Sequence, residues 1–353
     1  MHAGFLWLAG FRDLQWRRRR FVIAVLGTSL VFGLTLLLSG FLSTFDTEVA
    51  RTIKLFRADG YVVPEGRLGP FTGGAPMPVT TADEVAKLRG IAAADPVVSI
   101  LQVTDQDYRP DVYLIGARLG GLGTPQPAEG RVAKAPGEAV VDNRTTMHIG
   151  DEFAINGVKF NVVGLTHGVT VVGGHGTVFT LIEDAQRVVF GGQPFATSIA
   201  VKGHPDVVPA GISFVGAKRA GADLKRPLDD TIKSIGLFRA LLWIVAAAIV
   251  GSVVYLSAIE RVGDFAVFKA TGVATRDLLG ALVTQAIVLS IGASILSIGV
   301  AYLLAPAFPV TVLIPAKLQL TVPVVGLVIG VLASGAALRR AVTVDPALAF
   351  GGR

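Results

Sequence analysis

The chain contains no cysteine, which excludes disulfides, thiolate catalysis and cysteine-ligated zinc. Charge is scarce as well: only 16% of its 353 residues are Asp, Glu, Lys or Arg, against about a quarter in soluble domains. With 52% apolar residues and a mean hydropathy of +0.61, an ordinary cytosolic enzyme is excluded. No Gly-Lys dipeptide occurs, so the chain has no P-loop for ATP; H-E-x-x-H, G-x-S-x-G and a properly placed G-x-G-x-x-G are missing too. His148, His167, His175 and His204 are scattered without metal-ligand spacing. No catalytic constellation, metal site or cofactor site emerges within this chain.

What charge there is has been segregated. Residues 44–236 carry 19 basic and 21 acidic side chains, a net of −2, whereas the rest of the chain carries 13 and 5, a net of +8. The overall +6 is therefore no nucleic-acid patch. It flanks long apolar runs. Residues 21–43 hold no charge, and a helix of 23 residues reaches about 34 Å, enough for the hydrocarbon core. A second uncharged run covers 240–259. A third, 278–316, is too long for one crossing and is divided by Pro306, Pro309 and Pro315. A fourth ends at Arg339 and Arg340.

The expected organisation is an α-helical membrane protein of four transmembrane helices, with a large α+β extracytoplasmic domain inserted between helices 1 and 2. Its parts are an interfacial helix at 1–20, spans at 21–43, 237–259, 278–304 and 320–338, and an outer domain at 44–236. A cytoplasmic loop at 260–277, a short outer turn at 305–319 and a tail at 339–353 complete it. Basic residues set the orientation. Arg12 and Arg17 to Arg20 precede the first span, three basic residues lie in the 260–277 loop and three in the tail, but the short outer turn has only Lys317. Both termini are thus expected in the cytoplasm of a multi-pass plasma-membrane protein. An arginine cluster before an apolar run also suits a secretory signal peptide, although 23 apolar residues exceed the usual h-region and no Ala-x-Ala site follows. Trp7, Phe11 and Leu14 at helical spacing suit a helix lying on the inner leaflet.

No ionisable residue falls within the four apolar cores, which argues against a proton- or ion-coupled transporter. Small residues recur every four positions instead: Gly326, Gly330 and Ser334, Ala247 with Gly251, and Ser29 with Gly33. Such stripes let helix backbones approach closely, whether within one chain or between two copies.

Beyond Ser43, Phe45, Val49, Ile53 and Phe56 continue a helical stripe outward, and after Pro227 the residues Leu228, Ile232, Ile235 and Leu242 run into the second span. These two stretches are expected to be stalks. Thr81 to Glu84 reads as a capping box opening a helix with Val85, Leu88 and Ile91 buried, ending before Asp95-Pro96. Residues 97–103 and 112–117 read as strands. Glu152 to Val163 reads as a hairpin turning at Asn156-Gly157, pairing Ile155 with Val158 and Phe153 with Phe160. Residues 68–78 read as a flexible loop exposing Phe71 and Met77.

The inner loop carries the most specific pattern. Glu260-Arg261 opens it, Val262, Phe265 and Phe268 share a helical side, Arg261 and Asp264 form an (i, i+3) pair, and Lys269 precedes a closing Gly272. Two aromatics among charges suit a membrane-interface anchor or a groove on a cytosolic partner. This stretch, ERVGDFAVFKATG, resembles the inner loop of the MacB/FtsX-type permeases of ABC transporters, which include the LolC-like lipoprotein-release permeases. The tail's Asp345-Pro346-Ala347 resembles the family's closing segment. Gly130 to Leu165, with Gly-Arg, Pro-Gly-Glu, Gly-Asp and Val-Val-Gly landmarks, is similar to its MacB-like external core. Phe268-Lys269 stands where the family more often has Leu-Arg, and the stretch before Gly150 is shortened.

The resemblance implies a non-catalytic permease subunit, paired with a second copy of itself and bound to a dimer of separate ABC ATPase subunits that hold ATP and Mg. Residues 262–272 would be the coupling helix seated in the ATPase. ATP-driven motion of the outer domain would then export or release a lipophilic or peptide-like substrate. The alternative is mechanotransmission without transport, activating an extracytoplasmic partner such as a cell-wall hydrolase. The remaining expected partner is the lipid bilayer of a bacterial inner membrane, with no nucleic acid.

Overall fold

A computed structural model describes residues 18–72, 75–105, 111–171, 175–260, 263, 267, 275–308 and 312–342. The chain divides into two units, residues 1–44 with 232–353, and residues 45–231.

The first unit is helical. Helix α1 (Arg18–Leu55) lends it its first part, and three more helices of the chain belong to it: Asp229–Ile259, Thr275–Leu304 and Ala316–Val342. Among the described residues three stretches, Phe21–Leu55, Ala217–Ile259 and Val283–Ala307, are long and apolar enough to cross a membrane, while Ala316–Val328 forms a shorter apolar segment. The last helix begins at Ala316, directly after Pro315, so the expected turn at 305–319 ends four residues early; the Pro315 carbonyl accepts from the Leu318 N–H at 2.9 Å. Inside the unit Phe32, Leu36, Leu37, Ala246, Ala293, Ala301 and Val322 form one buried cluster. Buried hydroxyls mostly donate back to their own helix, as Thr35 does to the Val31 carbonyl and Ser294 to that of Ser290.

The second unit is built on an eleven-stranded mixed sheet. Its strands are β1 (Gly60–Pro64), β3 (Ile91–Gln102), β4 (Val112–Ala117), β5 (Glu129–Gly130), β6 (Glu138–Asp142), β7 (Glu152–Ile155), β8 (Val158–Thr166), β9 (Thr170–Val171), β10 (His175–Leu181), β12 (Ser198–Gly203) and β13 (Ile212–Gly216). The order is β13-β1-β12-β3-β4-β10-β6-β8-β5, with β7 on β8 and β9 on β10. A separate pair joins β2 (Met77–Pro78) to β11 (Phe195–Ala196). Two pairings, β4 with β10 and β6 with β8, are parallel.

Both faces of this sheet are covered, and the strand sequences show it. All six residues of β4 are buried, so it reads as a continuous apolar run rather than an alternation. Tyr113 and Ile115 enter one core with Phe179 and Val140; Leu114 enters the other with Val178 and Val141. The first face is covered by the outer turns of α1 and by a helix at Ala217–Lys225, through Phe56, Ala220 and Leu224. The second is covered by a helix at Ile182–Phe190, through Ile182, Ala185 and Val188. Gly116 permits that approach, since a Cβ there would collide with the Ala185 methyl group.

The expected hairpin forms with the expected register, Phe153 opposite Phe160 and Ile155 opposite Val158. Asn156 and Gly157 take positive φ values of 49° and 76°, the left-handed pair that a two-residue turn requires. The two phenylalanine rings stack at 5.4 Å. Asp105 secures the turn by accepting from the Asn156 and Gly157 N–H groups at 2.9 and 2.7 Å.

Two expectations fail. The helix expected to run from Thr81 to the brink of Asp95 spans only Thr81–Val85, and its N-cap, Thr80, makes no side-chain cap bond. Ile91 instead opens β3, which passes straight through Asp95-Pro96. The proline is tolerated because residues up to Pro96 pair with β12 alone; pairing with β4 starts at Val97. Nor does the 68–78 stretch display its large apolar residues. Phe71 and Met77 are 6% and 4% exposed, Met77 lies in β2, and only Leu68 projects.

The landmark glycines and charges of residues 130–165 meet in space. Glu138 accepts from Arg131 at 2.7 and 2.5 Å and from the Lys134 and Ala135 N–H groups at 2.9 and 3.2 Å. The guanidinium, then the Lys134 N–H, hold its carboxyl down at about 2. Gly164 lies so close to the Arg131 carbonyl that no side chain fits there.

Candidate functional site

Of the residues singled out for ATPase coupling, Glu260 directly follows the helix Asp229–Ile259, here α5. Its N–H donates to the Leu256 carbonyl at 3.1 Å, and its side chain is exposed. Arg261, Val262, Asp264, Phe265, Phe268, Lys269 and Gly272 lie outside the described residues. Within that loop Gly263 and Val267 are helical and exposed.

The small residues sit in the helical unit. On Ala316–Val342, here α7, a Cβ at Gly326 would meet the Phe32 ring at 3.0 Å and the Ser294 hydroxyl at 3.2 Å. On α1, one at Gly33 would meet Val300 at 2.7 Å. Both glycines therefore face other helices of the same chain. Ala247 and Gly251 are half-buried on α5, and Gly330 and Ser334 belong to α7.

A denser arrangement, which no sequence motif announces, lies in the sheet unit where the outer turns of α1 pack. With the five-residue Thr81–Val85 helix as α2 and Ile182–Phe190 as α3, the helix Ala217–Lys225 is α4. A Cβ on Gly221 of α4 would stand 3.2 Å from Val49 and 3.8 Å from Ile53, so the two helices meet almost backbone to side chain. Lys225 and Asp46 form an ion pair at the end of the contact. Phe56 closes α1 against Tyr61 and Phe71, with ring centroids 5.7 and 5.5 Å away; Tyr61 and Phe71 are 5.3 Å apart and edge-on.

Phe71 reaches this cluster because Asp223 of α4 holds its backbone. One carboxylate oxygen accepts from the Phe71 and Thr72 N–H groups at 2.9 and 3.0 Å, and the other accepts from the Thr72 hydroxyl. From the sheet, the Ser99 hydroxyl of β3 donates to the Pro70 carbonyl and the Tyr113 hydroxyl of β4 to the Phe71 carbonyl, both at 3.0 Å. Gly69 admits no side chain, since a Cβ would overlap Asp223. Residues 69–72 thus form a strap pinned to a helix on one side and to two central strands on the other.

Burial raises both tyrosines well above the usual phenol range, and they stay neutral. The Tyr61 hydroxyl is buried without a hydrogen-bond partner. Just after α1, Asp59 accepts from the Gly203 N–H at 2.8 Å and Lys202 at 3.0 Å. These contacts, the backbone one first, lower its pKa. Arg57, in the left-handed region at φ 53°, donates to the Gly121 carbonyl at 2.8 Å.

Among the described residues no three His, Asp or Glu side chains gather as metal ligands. His167 approaches Glu129 at 3.3 Å, His148 stands beside Asp151, and the ring of His204 packs on Phe214.

Comparison with known proteins places these features in context. Residues 236–346 match the profile of the FtsX-like permease C-terminal domain. Two uncharacterized ABC transporter permeases of Mycobacterium tuberculosis and one of Mycobacterium bovis are each 41% identical over 345 residues, 98% of this chain and 99% of theirs. Among solved structures, the periplasmic region of MacB from Actinobacillus actinomycetemcomitans is 12% identical, with a TM-score of 0.34 over 47% of this chain and 92% of its own. The extracellular domain of the noncanonic ABC-type transporter YknZ from Gram-positive bacteria gives 11%, 0.32, 42% and 84%.

Proposed function

This chain belongs to the FtsX-like permease family of ABC transporters, and on that premise we propose that it converts ATP hydrolysis in a partner subunit into motion of residues 45–231. The permease subunit itself is non-catalytic. ATP and Mg bind the ATPase dimer, and residues 262–272, with Phe265 and Phe268 as apolar anchors, seat in a groove on that partner. A second permease copy completes the complex. Four spans cross the plasma membrane, both termini face the cytoplasm, and the sheet unit works outside.

The observation that carries this reading is the continuity of the helices. Helix α1 runs unbroken from Arg18 to Leu55, 38 residues or about 57 Å, and α5 spans another 31. Each begins or ends among apolar spans and continues into residues that belong to the sheet unit. Helices of this kind can carry displacement along their axes, because a sharp kink needs a cause such as an interior proline and neither helix has one. The cargo of such motion is a lipophilic or peptide-like substrate taken up and released at the outer face.

A second reading has its own support. The apolar helices hold no Asp, Glu, Lys, Arg or His in their cores, and most of their buried hydroxyls, such as those of Thr35 and Ser294, bond to their own backbone, which argues against a charged route for solute through one chain. Motion of the outer domain would then activate an extracytoplasmic protein, such as a cell-wall hydrolase, without transport.

Replacing Phe265 and Phe268 together by alanine tests the premise common to both. The variant should insert normally but lose copurification of an ATP-binding subunit. Undiminished copurification would overturn the assignment of the coupling helix.

A further inference from the structure

We propose that the strap Gly69–Thr72 is the drive element of the outer domain, and that Asp223 is the positioning residue through which displacement of the stalk helices reaches β3 and β4. The inference rests on the reading that the stalks move, and it adds where the movement is handed to the sheet.

Four observations converge on the strap. Asp223 is 2% exposed, and its carboxylate accepts three hydrogen bonds, all from Phe71 and Thr72. Charge-assisted bonds of this kind resist stretching more than neutral ones. The same two peptide units are gripped from the other side by Ser99 and Tyr113. Those residues belong to β3 and β4, neighbours at the centre of the sheet. Apolar packing resists sliding through interdigitated side chains but supplies no directional bond between a helix and a particular strand. A directional bridge fixes the register between them.

The stalk side of the bridge is equally fixed. Gly221, two residues before Asp223, sits against Val49 and Ile53 of α1, and Lys225, two residues after it, pairs with Asp46. Helix α4 therefore follows the outer turns of α1 as one piece, and Asp223 lies between the two points of attachment. Phe71, carried by the strap, packs against both Phe56 and Tyr61. Movement of α1 thus presses on the strap through Phe56 and pulls on it through Asp223.

The substitution Asp223→Asn keeps the shape but removes the charge: its single carbonyl oxygen holds the Phe71 and Thr72 N–H groups only as a neutral, weaker acceptor, and its NH2 group cannot accept from the Thr72 hydroxyl. Two measurements on the full-length chain test the idea. In the first, hydrogen exchange follows the permease alone in detergent. The amides of Phe71 and Thr72 should exchange at least about tenfold faster in Asp223→Asn, with Leu114 and Ile115 of β4 unchanged. In the second, spin labels are placed on introduced cysteines at Lys54 and Val103, both exposed, and read in the complex with its ATPase during turnover. The wild-type distance distribution should stay narrow because stalk and sheet move together. In Asp223→Asn it should broaden on nucleotide addition while ATPase binding persists, which a merely structural role for Asp223 would not produce.

Thr72→Val, which removes only the hydroxyl bond, supplies the milder variant should Asp223→Asn fail to fold, and is expected to change both readouts in the same direction. Unchanged exchange at Phe71 and Thr72, or a distribution that remains as narrow as wild type during turnover, overturns the proposal. Failure of the wild-type chain to copurify any ATPase instead refutes the proposed coupling to an ATPase, and the exchange measurement still decides whether Asp223 holds the strap.

Discussion

Tyr61 and Glu138 show how differently two polar groups can be treated in one domain. Tyr61 is fully buried, with its ring against both Phe56 and Phe71 and its hydroxyl unpartnered. An unsatisfied buried hydroxyl costs about 1–3 kcal/mol, so Tyr61→Phe should stabilise the sheet unit by about 1 kcal/mol; a fall in the melting temperature of the solubilised protein would show that a water completes the site. Glu138 is the opposite case. Its folded pKa of about 2 lies below the ordinary glutamate value of 4.5, so its contribution is complete above about pH 4.5 and disappears as pH falls toward 2. Glu138→Gln should therefore lower stability near neutral pH by about 1 kcal/mol, crediting only the bonds from the Lys134 and Ala135 backbone. The difference from wild type should shrink between pH 5 and pH 3, as a melting series across that range would reveal. A gap that stays constant with pH would mean the carboxylate is not held by these partners.

At the level of elements, the sequence exposes what is periodic and hides what is held by distant residues. The β7–β8 hairpin was readable because Asn156-Gly157 states its own turn and the alternation of Phe153, Ile155, Val158 and Phe160 states its face. Strand β4 was readable from an apolar run too short for a helix, and the outer turns of α1 from the stripe Phe45, Val49, Ile53 and Phe56. The strap was not. Gly, Pro and Thr in residues 69–72 describe a loop, and its anchor lies about 150 residues away at Asp223, on a helix whose own pattern gives no sign of the need. Asp105 and its hairpin turn are separated in the same way by 51 residues. The Thr81 helix was overestimated because local propensity extended it into Ile91, where pairing with Gly203 of β12 claimed the backbone instead.

At the scale of the whole molecule, everything proposed depends on which side of the bilayer residues 45–231 occupy. Basic residues favour a cytoplasmic inner loop, and the composition of the chain makes the test unusually clean. With no native cysteine, one introduced thiol is the only site a maleimide can modify. Val207 is 74% exposed in the sheet unit, and Glu260 is exposed at the end of α5. A membrane-impermeant maleimide applied to intact cells should label Val207→Cys fully and leave Glu260→Cys unlabelled until the membrane is opened. The reverse pattern would put the sheet on the ATP side, where stalks emerging outward would have nothing to move and the lever mechanism would fail. Labelling of both sites in intact cells would show that α5 does not cross the bilayer, because only a crossing between residues 207 and 260 can shield one of them and not the other.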